Sequence, residues 1–547
     1  MNRLRIGMGL AAVVAGGGLL LAAGPAAVAG PAGTATGESA PARCAPSVDL
    51  GRAASTSSPK SGAAGMPSMA EMPGMADNPT QHSTQELRDR LAHTRSGGTL
   101  TVQPGVYRGA LVIDHPVTLV GIGHPVIQGD GTGTVITIRA AGTTVRDLMV
   151  EGSGPGPVDN PAGVSVQADH VVVSGLHIRD SYTGVWIEGV KDARVTGNVI
   201  EGRQKVAVSG QTPDAMDGNM AGMTMSTAHG KAQDGRGDGV SLFNAIRPVV
   251  SGNSITSVRD GVYLEYGSGT RIECNSVTGS RYAVHSMYGR TVNVADNHFA
   301  TNQSGPVMMY GGPVTLAGNV IRDGQSAATG FGVLLLDVSG ARLLRNVIVS
   351  NRVGLQIEGP LGGPRPTAVE RNTIALNQVG FGLYPTANAA LTRNSFVENT
   401  VQVLGLGPDG SGGASTWSRE GVGNYWSNYR GFERSSRGTG ARGIGGIPHV
   451  EGAAAGRLLA GDPTLLALAS SPSFTLLRAV EQRSASQHPV VVDSFPILDP
   501  TSPSLPSEPT HAALGTGLVG AASMLICSIV LLRSTRRRQL SSGRKKP

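Results

Sequence analysis

Methionine stands in this chain where packing does not call for it. Met66, Met69, Met72 and Met75 recur every third residue in the stretch Met-Pro-Ser-Met-Ala-Glu-Met-Pro-Gly-Met, and His82 follows. A second polar stretch holds Met216, Met220, Met223, Met225 and His229. Eight of the 15 methionines fall in these two stretches, and neither stretch has the large apolar neighbours of a core methionine. Exposed thioethers are also open to oxidation. Thioether and imidazole are soft ligands suited to Cu(I), so tracts that wrap a soft metal account for both placement and composition. A promiscuous protein-contact surface of adaptable methionines is the competing reading. A third set is His285, Met287 and Met309, where the steps are two residues and then 22. What those steps mean depends on the elements that carry them.

The chain repeats. Asn253, Asn275, Asn297 and Asn319 are 22 residues apart, Asn346 and Asn372 follow at 27 and 26, and Asn394 returns to 22. Asn198 belongs to the series, with Leu176 standing 22 before it. The local pattern is Gly/Asp-Asn-x-Val/Ile/Phe, as in Gly318-Asn319-Val320-Ile321. A period of this length suits three short strands and three turns, with Asn in the turn because it tolerates left-handed backbone and its amide can bond the next rung. A leucine-rich repeat of similar period would need a regular Leu frame and helical segments, and the sequence has neither. The expected fold is all-β: a right-handed parallel β-helix of about 22 residues per rung. With 79 Gly and only 4 % aromatics, the core must be built from Val, Ile and Leu in short strands.

The period lets residues be stacked into columns. In strands beginning 14 residues before each ladder Asn, two columns are mostly aliphatic: Val185, Val240, Val262, Val284, Pro306, Val333, Leu355, and Ile187, Leu242, Leu264, Ser286, Met308, Leu335, Ile357. They point inward. The alternate columns point outward: Trp186, Ser241, Tyr263, His285, Val307, Leu334, Gln356, and Glu188, Phe243, Glu265, Met287, Met309, Leu336, Glu358. His285 and Met287 then share the outer face, with Met309 one rung on, about 4.8 Å away. The expectation is a Cu(I) site on a surface patch, against ordinary sheet packing.

The organisation reads as a signal peptide over residues 1–29, a disordered Met-rich segment 30–82, the β-helix 83–410 with rungs starting near Gly97, an insertion at 203–236, and a C-terminal cap 411–498. A linker 499–511 leads to an uncharged apolar run, Ala512 to Leu532, long enough to cross a bilayer, and then to a basic tail 533–547. The basic flank puts that tail in the cytoplasm and the body outside. Without two cations in the signal and seven in the tail, 36 Lys+Arg face 38 Asp+Glu, so nothing argues for nucleic acid. Cys44 and Cys274 could pair, but spacing does not decide it.

Several stretches resemble one family. Gly237-Asp238-Gly239-Val240-Ser241, Tyr282-Ala283-Val284-His285-Ser286-Met287-Tyr288, Val307-Met308-Met309-Tyr310, Gly423-Asn424-Tyr425-Trp426-Ser427-Asn428-Tyr429 and His488-Pro489-Val490-Val491-Val492-Asp493-Ser494-Phe495-Pro496 follow in order over roughly residues 95–498. The sequence is similar in these to the NosD-type maturation proteins of nitrous oxide reductase. The resemblance implies an extracytoplasmic, copper-handling β-helix that is not an enzyme, working with an ABC transporter for a copper-enzyme client. Ser286 stands where the family usually has a second Tyr, and the C-terminal anchor and the Met segments go beyond the usual pattern. Parallel β-helices also serve as polysaccharide lyases, hydrolases and epimerases, or as inert scaffolds. Asp238, Asp260 and Asp337 are the carboxylates to weigh; the first two are expected to serve turns, and no acid and base are expected on neighbouring rungs of the outward columns.

The apolar run makes a topological prediction. Removing residues 512–547 should move the protein from the membrane fraction to the extracytoplasmic soluble fraction, as read by fractionation and immunoblot. A truncated chain retained in the cytoplasm would contradict export.

Overall fold

The computed structural model describes Cys44 and residues 81–501, except 157–158, 204–234, 325, 327–328, 360–365, 408–411, 435–442, 453–464, 466–470, 475, 478–479 and 481–488. The signal, both Met/His tracts up to residue 80 and over 204–234, the apolar run and the basic tail lie outside the described residues. Among the described residues no helix is long and apolar enough to cross a membrane.

Strands of two to six residues pair in parallel into two sheets of 12 strands and one of 14. The sheets form the three walls of a parallel β-helix of the right-handed type. One rung shows the order: Asp260–Glu265 lies in sheet 1, Arg271–Glu273 in sheet 2, Ser276–Thr278 in sheet 3, and Tyr282–Met287 returns to sheet 1. Strands this short suit β-branched residues, whose side chains alternate between a core face and an outer face. Val185 pairs with Val240, Val240 with Val262, and Val262 with Val284, all fully buried. The inward columns therefore stand as the 22-residue period requires.

At the corner between sheets 2 and 3 the Asn series accepts a backbone N–H from each preceding rung. Asn275 Oδ1 accepts from Asn253 N at 3.0 Å and from Asn253 Nδ2 at 2.9 Å, and Asn275 in turn donates to Asn297 Oδ1. The same contacts link Asn297, Asn319, Asn346, Asn372, Asn394 and Asn424. The line begins where Leu176 N meets Asn198 Oδ1. A second ladder, absent from the sequence reading, stands five residues further along each rung in Asn351, Asn377 and Asn399.

Both ends are closed. The rungs were expected to begin near Gly97, but Gln81–Ser83 already pairs with Val106–Arg108, so paired structure begins before the expected boundary at residue 82. Helix α1, Thr84–His93, then buries Leu87 and Leu91 against the first rung. Ser83 caps its first turn, accepting from Gln85 N, and Glu86 sits favourably near its N-terminus. At the far end Phe396, Trp426 and His449 stack face to face at 4.4 and 4.6 Å. His449–Gly452 pairs antiparallel with Pro489–Asp493 over this plug. Cys44 and Cys274 form a disulfide.

Asp493 ends the Asn ladder. Its carboxylate accepts from Asn424 N at 2.7 Å, Trp426 Nε1 at 2.9 Å and Phe495 N at 3.1 Å. Asp493→Ala would leave those donors buried without a partner, at about 1–3 kcal/mol each, so we expect a loss of roughly 3–5 kcal/mol. Asp493→Asn, which keeps an acceptor, should cost about half that. Denaturant unfolding followed by tryptophan fluorescence checks this, and near-wild-type stability of the Ala variant would contradict the closing role.

Candidate metal site

The outward columns of sheet 1 pair as the period predicts. Tyr263 is in register with His285 and His285 with Val307; Glu265 is in register with Met287 and Met287 with Met309. The two methionines are thus direct neighbours on adjacent rungs, and His285 shares their face two residues back.

The imidazole is held from behind. His285 Nδ1 lies 3.0 Å from Asp260 Oδ2, and Asp260 is itself clasped by Arg281 through Nε at 2.9 Å and Nη2 at 2.6 Å. Tyr263 and Tyr282 flank the ring, with centroids at 5.2 and 5.1 Å. A carboxylate at Nδ1 places the proton there and leaves the Nε2 lone pair for a ligand, the usual outer-shell arrangement for a metal-binding His. Among the described residues Nε2 makes no hydrogen bond. Tyr263 Oη donates to Glu265 Oε2 at 2.8 Å and stands 3.8 Å from Met287 Sδ. Burial and Glu265 hold that hydroxyl well above its ordinary pKa, so it remains a donor.

The site was expected on an exposed patch, and here the structure corrects the sequence reading. His285 and Met309 are only 9 % and 7 % exposed, and Met287 is half-buried. Val307, Met309, Leu334 and Leu336 form a second apolar cluster outside sheet 1, joined by Phe474 and Leu465 of the C-terminal region. The physical reason lies in the columns themselves: beyond Met287 they run through Val and Leu, a face that needs cover. Alternation shows which way a side chain points, not what comes to lie over it.

Asp238 and Asp260 also differ from expectation. They occupy equivalent positions on adjacent rungs, two residues before the Val240–Val262 pair, and both are buried rather than serving exposed turns. Each is clasped by an arginine from the next rung, Asp238 by Arg259 at 2.9 and 2.8 Å and Asp260 by Arg281. Burial pushes the Asp238 carboxyl up. Burial opposes ionisation of Asp260 as well, but Arg281 and the His285 hydrogen bond hold it well below the usual carboxylate range. Both carboxylates are thus committed to arginines.

Three tyrosines escaped the sequence reading. Tyr266, Tyr288 and Tyr310 each follow an outward residue of the Glu265–Met287–Met309 column, and their rings stack at 5.0 and 5.5 Å. Tyr266 and Tyr310 are 46 % and 38 % exposed. All three have left-handed backbone, φ 54°, 56° and 54°. The same turn position in neighbouring rungs holds Gly189, Asn244, Asp337 and Gly359, the residue types that accept this conformation. A bulky side chain there costs about 1–2 kcal/mol, whereas each stacked pair returns about 0.5–1.5 kcal/mol. Two pairs offset only part of the cost of three residues. The signal was in the sequence: 266, 288 and 310 keep the 22-residue step.

His82 is not brought to this site. It stacks on Tyr107 at 4.9 Å in the first strand of sheet 3, eight strands before His298–Ala300, which completes the rung of His285. Met66, Met69, Met72, Met75, Met216, Met220, Met223, Met225 and His229 lie outside the described residues. Among the described residues no group of three or more His, Cys, Asp or Glu could hold a metal ion.

Fold and geometry together define a class: a parallel β-helix with thioether and imidazole groups gathered on one wall. A family profile described as "Periplasmic copper-binding protein (NosD)" matches residues 216–431. A relative from Pseudomonas aeruginosa, named "Probable ABC transporter binding protein NosD", is 32 % identical over 417 residues, covering 73 % of this chain and 88 % of its own. One of the same name from Stutzerimonas stutzeri is 32 % identical over 409 residues, with 72 % and 85 % covered. This chain belongs to the NosD family, whose members are named as binding proteins. Among solved structures it is similar to the A-module of the mannuronan C-5 epimerase AlgE6 of Azotobacter vinelandii, at 16 % identity and TM-score 0.45 over 61 % of this chain and 94 % of that one. An α-1,3-glucanase catalytic domain gives 14 % identity and TM-score 0.43, covering 65 % and 71 %.

Asp260 generates a prediction. Asp260→Asn leaves the part-buried Arg281 guanidinium without its counter-charge, at an expected cost of about 2–3 kcal/mol at neutral pH. The folded carboxyl titrates below its unfolded value, so its contribution is complete above about pH 4 and is lost as pH falls through the folded pKa. The variant should therefore lose less stability than the wild type on going from about pH 5 to pH 2. Urea melts at stepped pH check this, and parallel acid limbs would contradict the pairing.

Proposed function

We propose that this protein captures Cu(I) outside the cytoplasm at His285, Met287 and Met309 and passes it to a copper enzyme, in company with an ABC transporter. The observation that carries this reading is the imidazole fixed through Nδ1 by a buried Asp–Arg pair beside two thioethers on adjacent rungs. Two sulfurs and one nitrogen make a soft, low-coordination set that suits Cu(I), whereas Zn²⁺ favours thiolates or more imidazoles. Copper here is cargo, and the chain needs no catalytic residue to carry it. Met66, Met69, Met72, Met75 and His82, with Met216, Met220, Met223, Met225 and His229, would collect the ion before the folded site receives it. Family membership supports copper as the metal and a transporter as the partner, and the relatives' motif order over the body of the chain makes nitrous oxide reductase the client of choice. The apolar run 512–532 would anchor the protein beside its transporter.

The competing carbohydrate reading finds less support, because Asp238 and Asp260 are already bound to arginines.

The test uses protein lacking residues 66–75 and 216–229, so that only the folded site remains. Met287→Leu and Met309→Leu nearly conserve volume and should each cost less than about 1.5 kcal/mol of stability. Each should weaken Cu(I) affinity by about tenfold or more, as measured by competition with a Cu(I) chelator. Equal affinity in the parent and the double variant would reduce the three residues to sheet packing.

A further inference from the structure

The two stacked pairs take both faces of Tyr288 and one face each of Tyr266 and Tyr310, Phe243 meets Tyr266 in a T-shaped contact, and the row leaves ring edges and hydroxyls beside the Met287–Met309 pair. Aromatic edges carry the positive part of the ring quadrupole. The common soft group that seeks such an edge is a thioether, with sulfur about 5 Å from the ring. A strip of three edges, one per rung, thus suits an extended segment with several methionines.

The chain supplies such a segment close by. Residues 204–234 leave the β-helix after Arg203 and rejoin it at Gly235, just ahead of the sheet 1 strand Val240–Phe243. That strand is two rungs from Tyr282–Met287, about 10 Å along the axis, and the tyrosine row lies one strand length further, about 20 Å across. Met225 is ten residues from Gly235 and Met216 thirteen from Arg203, contours of about 33 and 43 Å, so all four methionines of the segment reach the row. The N-terminal tract fits less well. Met72 and Met75 are nine and six residues from Gln81, contours of about 30 and 20 Å, short of the eight steps, about 38 Å, between the strand of Gln81 and the rung of Met287, so only Met66 and Met69 of that tract reach the row.

We propose that Tyr266, Tyr288 and Tyr310 form a docking strip for the chain's own segment 204–234, with the thioethers of Met216, Met220, Met223 and Met225 set against the ring edges. The docked segment lies alongside Met287 and Met309, so a Cu(I) ion moves from tract to folded site by exchanging one thioether at a time. That last step rests on the copper reading above; the docking does not.

The experiment is amide hydrogen exchange on the full, metal-free chain. The comparison variant is Tyr266→Asn/Tyr288→Asn/Tyr310→Asn, since Asn244 holds the same turn position and backbone conformation. Peptides spanning Met216–Met225 should be protected in the wild type and lose at least about tenfold of that protection in the variant, with β-helix peptides unchanged. No protection in the wild type, equal protection in both proteins, loss confined to Met66–Met75, or protection that grows with protein concentration would each overturn the proposal. The last two outcomes would point to the N-terminal tract or to a second copy as the occupant. The same measurement on Met287→Leu/Met309→Leu should leave protection in place, which separates a failure of docking from a failure of the copper site.

Discussion

A parallel coil turns a corner three times per rung, and at the corner between sheets 2 and 3 a backbone amide of each rung points at no carbonyl of the next. Burying such an amide without an acceptor costs about 1–3 kcal/mol. In this protein the side-chain oxygen of the next rung's asparagine supplies the acceptor, from Leu176 through Asn198 and Asn253 to Asn424. Each asparagine is both a receiver and a donor, so the line is only as good as its neighbours. This interaction fixes the register of successive rungs, and register decides everything on the walls. A slip of one residue would send His285 and Met287 to the core face and Val284 and Ser286 outward. The proposed site exists because the ladder forbids that slip.

A ladder of this kind needs ends. The last asparagine has no following rung, and the chain brings back Asp493 from 69 residues away to stand where the next amide oxygen would be. The same carboxylate takes the indole N–H of Trp426, so the aromatic plug and the ladder finish on one group. At the other end helix α1 lays Leu87 and Leu91 over the first rung. The disulfide between Cys44 and Cys274 ties the chain ahead of this helix to the rung just before that of His285.

Most of the walls could be read from the sequence, because a strict period converts position into direction. The Asn step gave the rung length, and alternation within each strand placed Val262 and Leu264 inward and Tyr263 and Glu265 outward, as the register bears out. The second ladder and the tyrosine row keep the same step and could have been found by stacking further columns. Other features had no signal of that kind. Which partner comes to lie over an outward column depends on the C-terminal region around Phe474, more than a hundred residues away in sequence. The Arg259–Asp238 and Arg281–Asp260 pairs join residues 21 apart, one short of the rung, so column stacking hides them. The capping helix failed to register for a different reason: ten residues with two buried leucines carry too little periodicity to stand out beside a repeat.

The wall of sheet 1 combines two kinds of stiffness. Backbone pairing sets the spacing of Met287 and Met309 at about 4.8 Å, and the Asp260–Arg281 clasp fixes the plane of the His285 ring. The thioethers are the soft members, each with three rotatable bonds to adjust to an ion. A site rigid throughout would release cargo slowly, because every ligand would have to let go together. A site soft throughout would lose much of its affinity to the ordering of its own side chains. Fixing one imidazole and leaving two sulfurs adaptable lets ligands be exchanged one at a time, which is what a protein that receives and hands on a metal requires. In the proposed site the surrounding burial would sharpen the balance, since Val307, Leu334 and Leu336 of that face pack with Phe474 and exclude water that would otherwise compete for the ion. Under the copper reading proposed above, the half-buried Met287, beside the exposed tyrosine edges, would be the point of entry.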